Sequence, residues 1–574
     1  GEGGGELAKQ LLGRTYDFAR PQVIAIYLTG KPRPGIGPHD VALSICGAVY
    51  KKGYVKNKVM EFVGPGIAGL PIEYRNAIDV MTTETTCWSS IWVTDEETQR
   101  YYTIHGRPQD FKKLQPAEVA YYDGCVYIDL STIESTIAMP MHPSNTYTIH
   151  ELQADAKDIL HAVQEEANKQ IKGAKMNLDS KFHDGAIWVD QGEIAGCAGG
   201  TFDNICAAAD ILRGKSCGNG VFTLSIYPGS MPALAELIRN GRASDLVDAG
   251  AIMRECFCGP CFGAGDCPAN GEFSIRHTTR NFPNREGSKP GEGQMSAVAL
   301  MDARSIAATA ANGGKLTAAT DLDIEYTKPE YHYNATLYAK RVYNGWGHAE
   351  PDAELRFGPN IKDWPEMPAL TDDLLVKVCS YITDPVTTTD ELIPSGETSS
   401  YRSNPLRLAE FTLSRREPAY VGRAKDAAAL EAQRRAGEAP ETLKAVLDRV
   451  GDGQALLEQT QFGSCVFANR PGDGSAREQA ASCQKVLGGF ANICYEFATK
   501  RYRSNCINWG ILPFTLDQAT AFPYRPGDFV FVPNIRKAIA SGQEDIPAKV
   551  IRAEGGVEVN GVPVRLAREQ DAPQ

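Results

Sequence analysis

Four closely spaced cysteines between positions 255 and 289 are the residues with the clearest capacity for chemistry: Cys256, Cys258, Cys261 and Cys267. Gly259 and Pro260 separate the middle two, and a glycine that frees the backbone beside a proline that fixes φ is typical of a tight turn. Two thiolates held that close can bind a metal ion or an iron–sulfur cluster together. The turn at residues 258–261 is therefore the first candidate site.

Two arginines follow this turn. Arg280 and Arg285 come soon after it, with Asn281 next to the first of them. A guanidinium binds a carboxylate through two parallel hydrogen bonds. The combination predicts a redox-active metal centre beside a binding site for an organic acid, for which other parts of the chain must supply further ligands and a base.

Two more candidates lie upstream. Cys197 follows a predicted strand at residues 187–189 and stands between Gly196 and Gly199, which favours a sulfur that is presented rather than packed. Cys197 is the best candidate for a third ligand beside Cys258 and Cys261. Without that pair, it would be interpreted as a small residue in a tight turn. Glu84 lies in an almost uncharged segment, where a carboxylate is costly to bury unless it is paired or protonated. We interpret it as a candidate proton-handling group, with a structural carboxylate as the alternative.

The turn GDGSARE at residues 472–478 has two interpretations. Ser475 with Glu478 three positions later is the pattern of a capping box, and local evidence favours that structural role. The alternative is a helix N-terminus that binds carboxylate oxygens beside Arg477, with the Ser475 hydroxyl acting as a base.

The overall charge argues against a nucleic acid as the main partner. The 574 residues carry a formal net charge of −12, and an acidic surface repels a phosphate backbone. No apolar run is long enough to span a bilayer, and the N-terminus lacks the basic and then apolar pattern of a secretion signal. We therefore expect a cytoplasmic protein without membrane contact, in which most of the 15 cysteines are small buried side chains.

Short apolar runs alternate with helix-like segments along most of the chain. Residues 23–28 and 221–227 predict buried strands, and residues 38–50 and 295–311 predict helices. Alternation of this kind indicates α/β layers. Strand-like and helix-like segments stop alternating in residues 328–370, which hold many Pro, Gly, Asn, Asp and Tyr. This composition predicts a linker, after which the alternation resumes.

Several motifs, in one order, resemble the aconitase superfamily of hydro-lyases along nearly the whole chain. A C-G-P-C cluster motif stands at residues 258–261, R-N-F-x-x-R at 280–285, a variant of G-S-S-R-E at 474–478 and an ending similar to R-x-N-x-x-x-x-G-I-L-P at 503–513. Residues 21–92 are similar to the family's second domain, which aligns Glu84 with its active-site glutamate. The likeness is greatest to a bacterial aconitase-like hydratase branch.

The resemblance implies a role for each candidate. Three cysteines would bind a 4Fe-4S cluster and leave one iron open to the substrate: Cys197, Cys258 and Cys261. Ser475 would be the base that removes the proton next to a carboxylate, and Asp390 would match the aspartate of the family's Asp-His pair in the swivel domain. Four arginines would hold the substrate carboxylates: Arg280, Arg285, Arg402 and Arg477.

The resemblance also implies an aconitase-like architecture, with three-layer α/β domains forming the cluster-binding core and a linked C-terminal swivel domain. The expected boundaries are 1–20 for a remnant of the N-terminal α/β domain, 21–150 for domain 2, 151–327 for domain 3 with the cluster ligands, 328–370 for the linker and 371–574 for the swivel domain.

The sequence departs from the family at several places. Residues 196–200 read GCAGG where the family has S-C-T-N, Ala476 replaces a serine, and Glu391 stands where a histidine is common. No D-S-H-T sequence occurs, and in the family that Asp-His pair lies just before the glycine-rich turn with which the sequence begins. We therefore expect the upstream part of domain 1 to be absent and this chain alone to be inactive or very slow.

The expected activity is the reversible dehydration of a hydroxy tricarboxylate or dicarboxylate, with citrate and isocitrate through cis-aconitate as the default. A related hydroxyacid such as methylcitrate is one alternative, because Ala476 and the surroundings of Cys197 differ from the family. A non-catalytic or RNA-binding relative is another, and the acidic charge counts against RNA. We expect the chain to be a monomer. The partner that the resemblance allows is the missing N-terminal segment of domain 1.

Overall fold

The computed structural model describes residues 4–15, 20–171, 173–282, 285, 287–288, 292–394, 398–474, 476–554 and 556–567. The chain forms two compact units: the cysteine unit, residues 19–349, and the barrel unit, residues 1–18 with 350–574. The first helix, α1 (Gly4–Leu11), belongs to the barrel unit. The boundary at residues 349 and 350 falls inside the stretch that the sequence predicts as a linker.

The cysteine unit begins with a parallel four-stranded sheet in the order β3-β2-β1-β4. Its elements are β1 (Val23–Thr29), α2 (Pro38–Val49), β2 (Val59–Val63), α3 (Ile72–Asp79), β3 (Ser89–Trp92), α4 (Glu96–Ile104) and β4 (Gly124–Asp129). The apolar run that predicts β1 is buried against α2, where Ile24, Ile26 and Val41 share one hydrophobic core. Pro38 and Asp40 in the first turn of α2 suit a helix start, as the sequence indicates.

A second sheet in the same unit has seven strands in the order β11-β10-β9-β12-β13-β5-β6. The strands of this part are β5 (Thr136–Ala138), β6 (Thr146–Thr148), β7 (Phe182–His183), β8 (Ala186–Ile187), β9 (Gln191–Ile194), β10 (Thr223–Ile226), β11 (Ile252–Met253), β12 (Phe273–His277) and β13 (Ala297–Met301). Strands β9 to β13 are parallel, β5 and β6 are antiparallel additions, and β7 and β8 form a separate hairpin.

The helices of this part connect and cover the sheet. They are α5 (Ile149–Ala154), α6 (Ala156–Gln170), α7 (Gly196–Gly199), α8 (Phe202–Leu212), α9 (Met231–Arg239), α10 (Arg242–Asp248), α11 (Ala303–Ala311) and α12 (Thr336–Ala339). One core joins them to the strands through side chains such as Leu160, Ile205, Leu224 and Ile306.

Two local predictions are wrong. Residues 295–311 do not form one helix: β13 occupies their first part, and α11 begins after Asp302, whose side chain accepts a hydrogen bond from the Arg304 N–H. A small apolar run that is buried on both faces of a parallel sheet has no periodicity that separates strand from helix. The strand before Cys197 is β9 rather than residues 187–189, because Ile187 belongs to the β7–β8 hairpin.

The barrel unit contains a closed barrel in the order β14-β16-β18-β19-β22-β21-β20. Its strands are β14 (Asp373–Ile382), β15 (Thr387–Thr388), β16 (Thr460–Ala468), β17 (Pro471–Asp473), β18 (Gly489–Cys494), β19 (Leu512–Thr515), β20 (Phe529–Val532), β21 (Asp545–Ile551) and β22 (Val557–Leu566), with β15 and β17 paired outside the barrel. Side chains such as Val376, Phe467, Ile493 and Phe514 share one core.

Helices flank this barrel: α13 (Thr389–Leu392), α14 (Pro405–Ala409), α15 (Ala419–Arg435), α16 (Glu441–Leu447), α17 (Gly453–Gln459), α18 (Arg477–Val486), α19 (Lys500–Asn508) and α20 (Ile535–Ser541). Both units therefore combine helices with sheets that contain parallel strands, and the predicted α/β class is confirmed. The finer domain boundaries stay predictions.

Candidate functional site

Three strands of the seven-stranded sheet carry the candidate residues of the cysteine unit at their carboxyl ends. Cys197 follows β9, the Cys258–Cys261 turn follows β11, and Arg280 follows β12. The chain adds β10 and β11 on one side of β9 and β12 and β13 on the other. Loops at the carboxyl ends of parallel strands diverge where the strand order reverses, and the crevice left there is the usual ligand site of such sheets.

The three thiols converge in this crevice. Gly196 has φ +73°, and a Cβ added there would lie 3.1 Å from Cys261 Sγ and 4.0 Å from Cys258 Sγ. The turn that carries Cys197 therefore runs against the other two sulfurs, and a side chain at Gly196 would fill the space between them. All three cysteines are free thiols.

The Cys258–Cys261 contact favours one thiolate. A hydrogen bond from Cys261 lowers the pKa of Cys258 to about 6, against the opposing effect of burial, and the charge of Arg280 lowers it further. The same contact, with burial, raises the pKa of the Cys261 thiol. Thiolates are the form that binds metals.

A steric constraint acts at Gly199, one of the residues around Cys197 that depart from S-C-T-N. A Cβ at Gly199 would lie 2.2 Å from the carbonyl oxygen of His277 and 2.9 Å from its Cβ. Only glycine fits there, because the end of β12 lies directly against the turn.

Glu84 and Arg280 contact each other. Glu84 lies in a short 3-10 helix at Thr82–Thr85, is 5% exposed, and accepts a hydrogen bond from Arg280 Nε at 2.9 Å. Burial raises the pKa of its carboxyl, while Arg280 and Arg285 lower it. The structure thus brings together the predicted carboxylate and the predicted arginines.

The segment after β12 is anchored to its surroundings. Asn281 is buried and donates from Nδ2 to the carbonyl oxygens of Ala138 at 3.1 Å and Met139 at 2.9 Å. Further along, a Cβ at Gly263 would lie 3.2 Å from the Arg285 carbonyl oxygen. The segment after β12 therefore also lies against residues 258–266, which we call the cysteine turn.

The barrel unit gathers a second group of predicted residues. Asp390 lies in α13 and accepts from Arg415 Nη1 at 2.7 Å, and the neighbouring Thr389 Oγ1 accepts from the N–H of Ala476 at 3.2 Å. Arg477 is the first residue of α18. Arg402 is exposed and precedes α14, which packs against α18. Ser475 lies outside the described residues.

The capping box predicted for residues 475–478 depends on Ser475 and therefore lies outside the described residues. Within the described part, Ala476 is the N-cap of α18 and makes no side-chain cap, and the Glu478 carboxylate accepts a hydrogen bond from Trp509. The family's histidine position, Glu391, does form a capping box: its carboxylate accepts from the N–H of Thr388 at 2.8 Å, at the start of α13.

Sequence reasoning missed the buried pair Glu193 and Arg276 beside the cysteine turn, and Arg415 beside Asp390. Each residue of the buried pair lies in a strand with other polar residues, so the sequence carries no clear signal for it. Within the described ranges, no three His, Cys, Asp or Glu side chains are arranged to hold a single metal ion. In the same residues, no helix is both long and apolar enough to cross a membrane.

These features define an α/β protein with three convergent thiols and an arginine–carboxylate pair at the switch point of a parallel sheet, together with a separate barrel unit. The chain belongs to the aconitase family. The family model described as aconitase family (aconitate hydratase) matches residues 1–308, and the one described as aconitase C-terminal domain matches residues 447–519. The resemblance inferred from the motifs is confirmed.

Named relatives are dehydratase large subunits. The chain is 29% identical over 293 residues to the 3-isopropylmalate dehydratase large subunit of Clostridioides difficile, a match that covers 50% of this chain and 61% of that protein. It is 30% identical over 271 residues to the 2,3-dimethylmalate dehydratase large subunit of Eubacterium barkeri, covering 47% and 56%. The chain thus spans less than two thirds of the length of these relatives.

Among solved structures, a 3-isopropylmalate dehydratase (leuD) from Methanocaldococcus jannaschii matches at 18% identity, covering 31% of this chain and 83% of that one. Its TM-score of 0.18 is too low to support an argument about the fold.

Proposed function

We propose that the chain contributes the cluster-binding core and the swivel domain of an iron–sulfur hydro-lyase that removes water from a small hydroxy dicarboxylate or tricarboxylate. The observation that carries this proposal is the convergence of three free thiols beside an arginine–carboxylate pair at one switch-point crevice. The family membership supports a hydro-lyase, and the names of the relatives favour a substituted malate over citrate.

The residues in the crevice fit an iron–sulfur cluster. Its protein ligands are thiolates, and Cys197, Cys258 and Cys261 supply three free thiols where the backbone of Gly196 closely approaches two of the sulfurs. A single ion needs its ligands in one coordination sphere, whereas a cluster spreads its thiolate ligands over several irons. A bound cluster would supply Lewis-acid chemistry at the iron that no cysteine binds.

The chain's own side chains would bind and orient the substrate. Arg280 and Arg285 provide guanidinium groups for its carboxylates, and neutralising those charges makes the adjacent C–H easier to deprotonate. Glu84 is held by Arg280 Nε and is shielded from water, so it can keep a proton at higher pH than an exposed carboxyl. We assign it the proton at the leaving hydroxyl.

The barrel unit would supply the remaining groups. We assign Ser475 the removal of the proton next to a carboxylate, and Arg402 and Arg477 the binding of substrate carboxylates. Asp390 would keep Arg415 in place through their 2.7 Å contact, or accept a proton in turn. The helix start at Arg477 adds N–H groups that favour an anion.

The test is anaerobic purification followed by measurement of iron, sulfide and absorbance in the thiolate-to-iron charge-transfer region. Cys197→Ser, Cys258→Ser and Cys261→Ser are expected to lose most of the colour. Cys125→Ser and Cys267→Ser, both exposed cysteines, serve as matched controls and should keep it. Equal colour in all five variants would remove the ligand assignment.

Activity is tested by following enoate absorbance with 3-isopropylmalate, 2,3-dimethylmalate, citrate, isocitrate and methylcitrate. The gene product that includes any upstream sequence is expected to turn over a substituted malate fastest. Turnover of citrate without turnover of a substituted malate would contradict this substrate assignment. A colourless, inactive product would favour a non-catalytic relative.

A further inference from the structure

A buried arginine holds the backbone of the cysteine turn. Arg276 lies in β12, is 1% exposed, and donates from Nη1 to the carbonyl oxygen of Pro260 at 2.7 Å. Pro260 sits between Cys258 and Cys261, in the turn that follows β11. A charged hydrogen bond therefore connects a central strand to the peptide that carries two of the three candidate ligands.

The rest of the guanidinium is fixed from the neighbouring strand. Arg276 pairs with Glu193 in the register of β12 and β9, and its Nε lies 3.1 Å from Glu193 Oε2 and donates to Ser274 Oγ at 3.1 Å. Glu193 is fully buried, and neither of its oxygens accepts a hydrogen bond from the described residues, so it acts on Arg276 through charge.

Stability does not explain this pair. Two buried charges lose their hydration, and replacing such a pair by apolar residues of similar size is often neutral or stabilising. Strands β9 and β12 already pair along four residues, and apolar side chains of both strands, such as Ile194 and Ile275, pack in the same core. The bond to Pro260 is the contact that an apolar pair could not reproduce.

The far end of the same turn is held as well. Asp266 accepts from Arg254 Nη2 at 2.6 Å and from the Tyr227 hydroxyl at 2.7 Å, and its carbonyl oxygen accepts from Gln191 Nε2 at 2.8 Å. Gln191 lies in β9 beside Arg276, so the strands fix the turn at Pro260 and again at Asp266.

We propose that Arg276 is a positioning residue for the cysteine turn, fixing the Pro260 carbonyl and thereby the direction in which Cys258 and Cys261 present their sulfurs, while Glu193 holds the guanidinium. The value of this positioning for a cluster rests on the proposed function. The positioning itself is a property of the metal-free chain and can be measured there.

The test compares two variants in the reduced, metal-free protein. Glu193→Gln with Arg276→Met removes the donor to Pro260 and leaves no unpaired buried charge, whereas Glu193→Gln alone keeps the donor. The readout is the rate at which iodoacetamide alkylates Cys261, measured by peptide mass spectrometry relative to the exposed Cys125. In the double variant this ratio should rise about tenfold, because the turn opens more easily without a charged hydrogen bond.

Glu193→Gln alone removes the charge that holds the guanidinium but keeps the donor to Pro260, so its Cys261 ratio should lie between those of the wild type and the double variant. Arg276→Lys, which keeps a charge and a donor, should also fall between them. A matched control is Arg75→Met with Asp95→Asn: Arg75 is also buried, pairs with Asp95 at 2.7 Å, and donates to the carbonyls of Leu70 and Ile67. It should lower the melting temperature without changing the Cys261 ratio.

An unchanged ratio in the Glu193→Gln and Arg276→Met variant would overturn the proposal, as would an equal rise in the Arg75 control. Cluster loading is measured separately by absorbance after reconstitution. If the ratio changes as expected but even the wild type takes up no iron, the positioning stands and the proposed function fails. If the wild type loads and the double variant loads poorly, both are supported.

Discussion

Arg280 donates from Nε to Oε1 of Glu84 at 2.9 Å and so joins two loops that are 196 positions apart in the sequence. Burial raises the pKa of the Glu84 carboxyl, and Arg280 is the main group that lowers it again. The guanidinium is partly exposed while the carboxylate is buried, so Arg280 supplies the positive charge that offsets the burial of Glu84.

Arg280→Met should therefore destabilise the cysteine unit at neutral pH. It leaves a buried carboxylate without its partner, for which about 3 kcal/mol is the usual cost. Adding Glu84→Gln should restore most of the loss. The measurement is the denaturation midpoint of both variants and of the wild type.

The matched control for this prediction is Arg107→Met. Arg107 pairs with Asp110 on the surface of the same unit, where the arginine is exposed and the aspartate partly exposed, and such a pair is worth less than about 1 kcal/mol. If Arg280→Met and Arg107→Met lower the stability equally, the burial of the Glu84 carboxylate does not depend on Arg280.

Much of this site could be predicted because its residues interrupt their local pattern. Glu84 is a charge in an uncharged segment, and Cys258 and Cys261 sit in a turn whose glycine and proline are visible in the sequence. The Glu193–Arg276 pair could not be predicted, because each residue lies within its own strand and only the register of β9 and β12 makes them partners. Residues 295–311 were misassigned for a related reason: burial on two faces removes the periodicity that separates strand from helix.

Gly199→Ala should disturb the Cys197 turn severely. The new Cβ would lie 2.2 Å from the His277 carbonyl oxygen, a distance that no side chain tolerates, so the turn or the end of β12 must move. We expect a loss of stability of about 3 kcal/mol, comparable to severe overpacking, and loss of any cluster absorbance. The measurements are the melting temperature and the iron content after reconstitution.

Gly220→Ala is the control for steric effects of glycine replacement in the same unit. No atom lies within 4 Å of a Cβ at that position, and its φ is outside the left-handed region. Gly220→Ala should change neither the melting temperature nor the iron content after reconstitution. If Gly199→Ala behaves like Gly220→Ala, the tight approach of β12 to the turn is not a feature of the protein in solution.

Asn281→Ala should weaken substrate binding more than it weakens the fold. Asn281 holds the carbonyls of Ala138 and Met139 and stands next to Arg280, so its loss frees the arginine segment. We expect a loss of about 1–2 kcal/mol in stability, as for a buried hydrogen-bonding side chain, and a rise in KM with the cluster absorbance unchanged.

Asn168→Ala is a comparable change elsewhere in the unit, since Asn168 bonds both the carbonyl and the N–H of Met176 at 3.0 and 2.8 Å. It should lower stability to a similar extent and leave KM as it is. A KM that rises equally in both variants would mean that Asn281 acts only through general stability.

Glu193 should make the stability of the cysteine unit depend on pH. Burial raises the pKa of its carboxyl from the usual 4.5 to about 7, with Asp266 adding to the rise and Arg276 and Arg254 opposing it. The folded protein therefore binds more protons than the unfolded chain between about pH 4.5 and pH 7, and the free energy of unfolding falls as pH rises through that window. The contribution is complete below pH 4.5 and lost above pH 7.

A shift of this size corresponds to about 3 kcal/mol between the two ends of the window. Glu193→Gln cannot titrate, so its stability relative to the wild type should improve by about that amount from pH 4.5 to pH 7.5, as measured by denaturant midpoints at each pH. Glu166→Gln, a change at an exposed side chain of α6, corrects for pH effects common to all variants. If the two glutamine variants track each other across the range, then Glu193 is ionised throughout, and Arg276 compensates its buried charge fully.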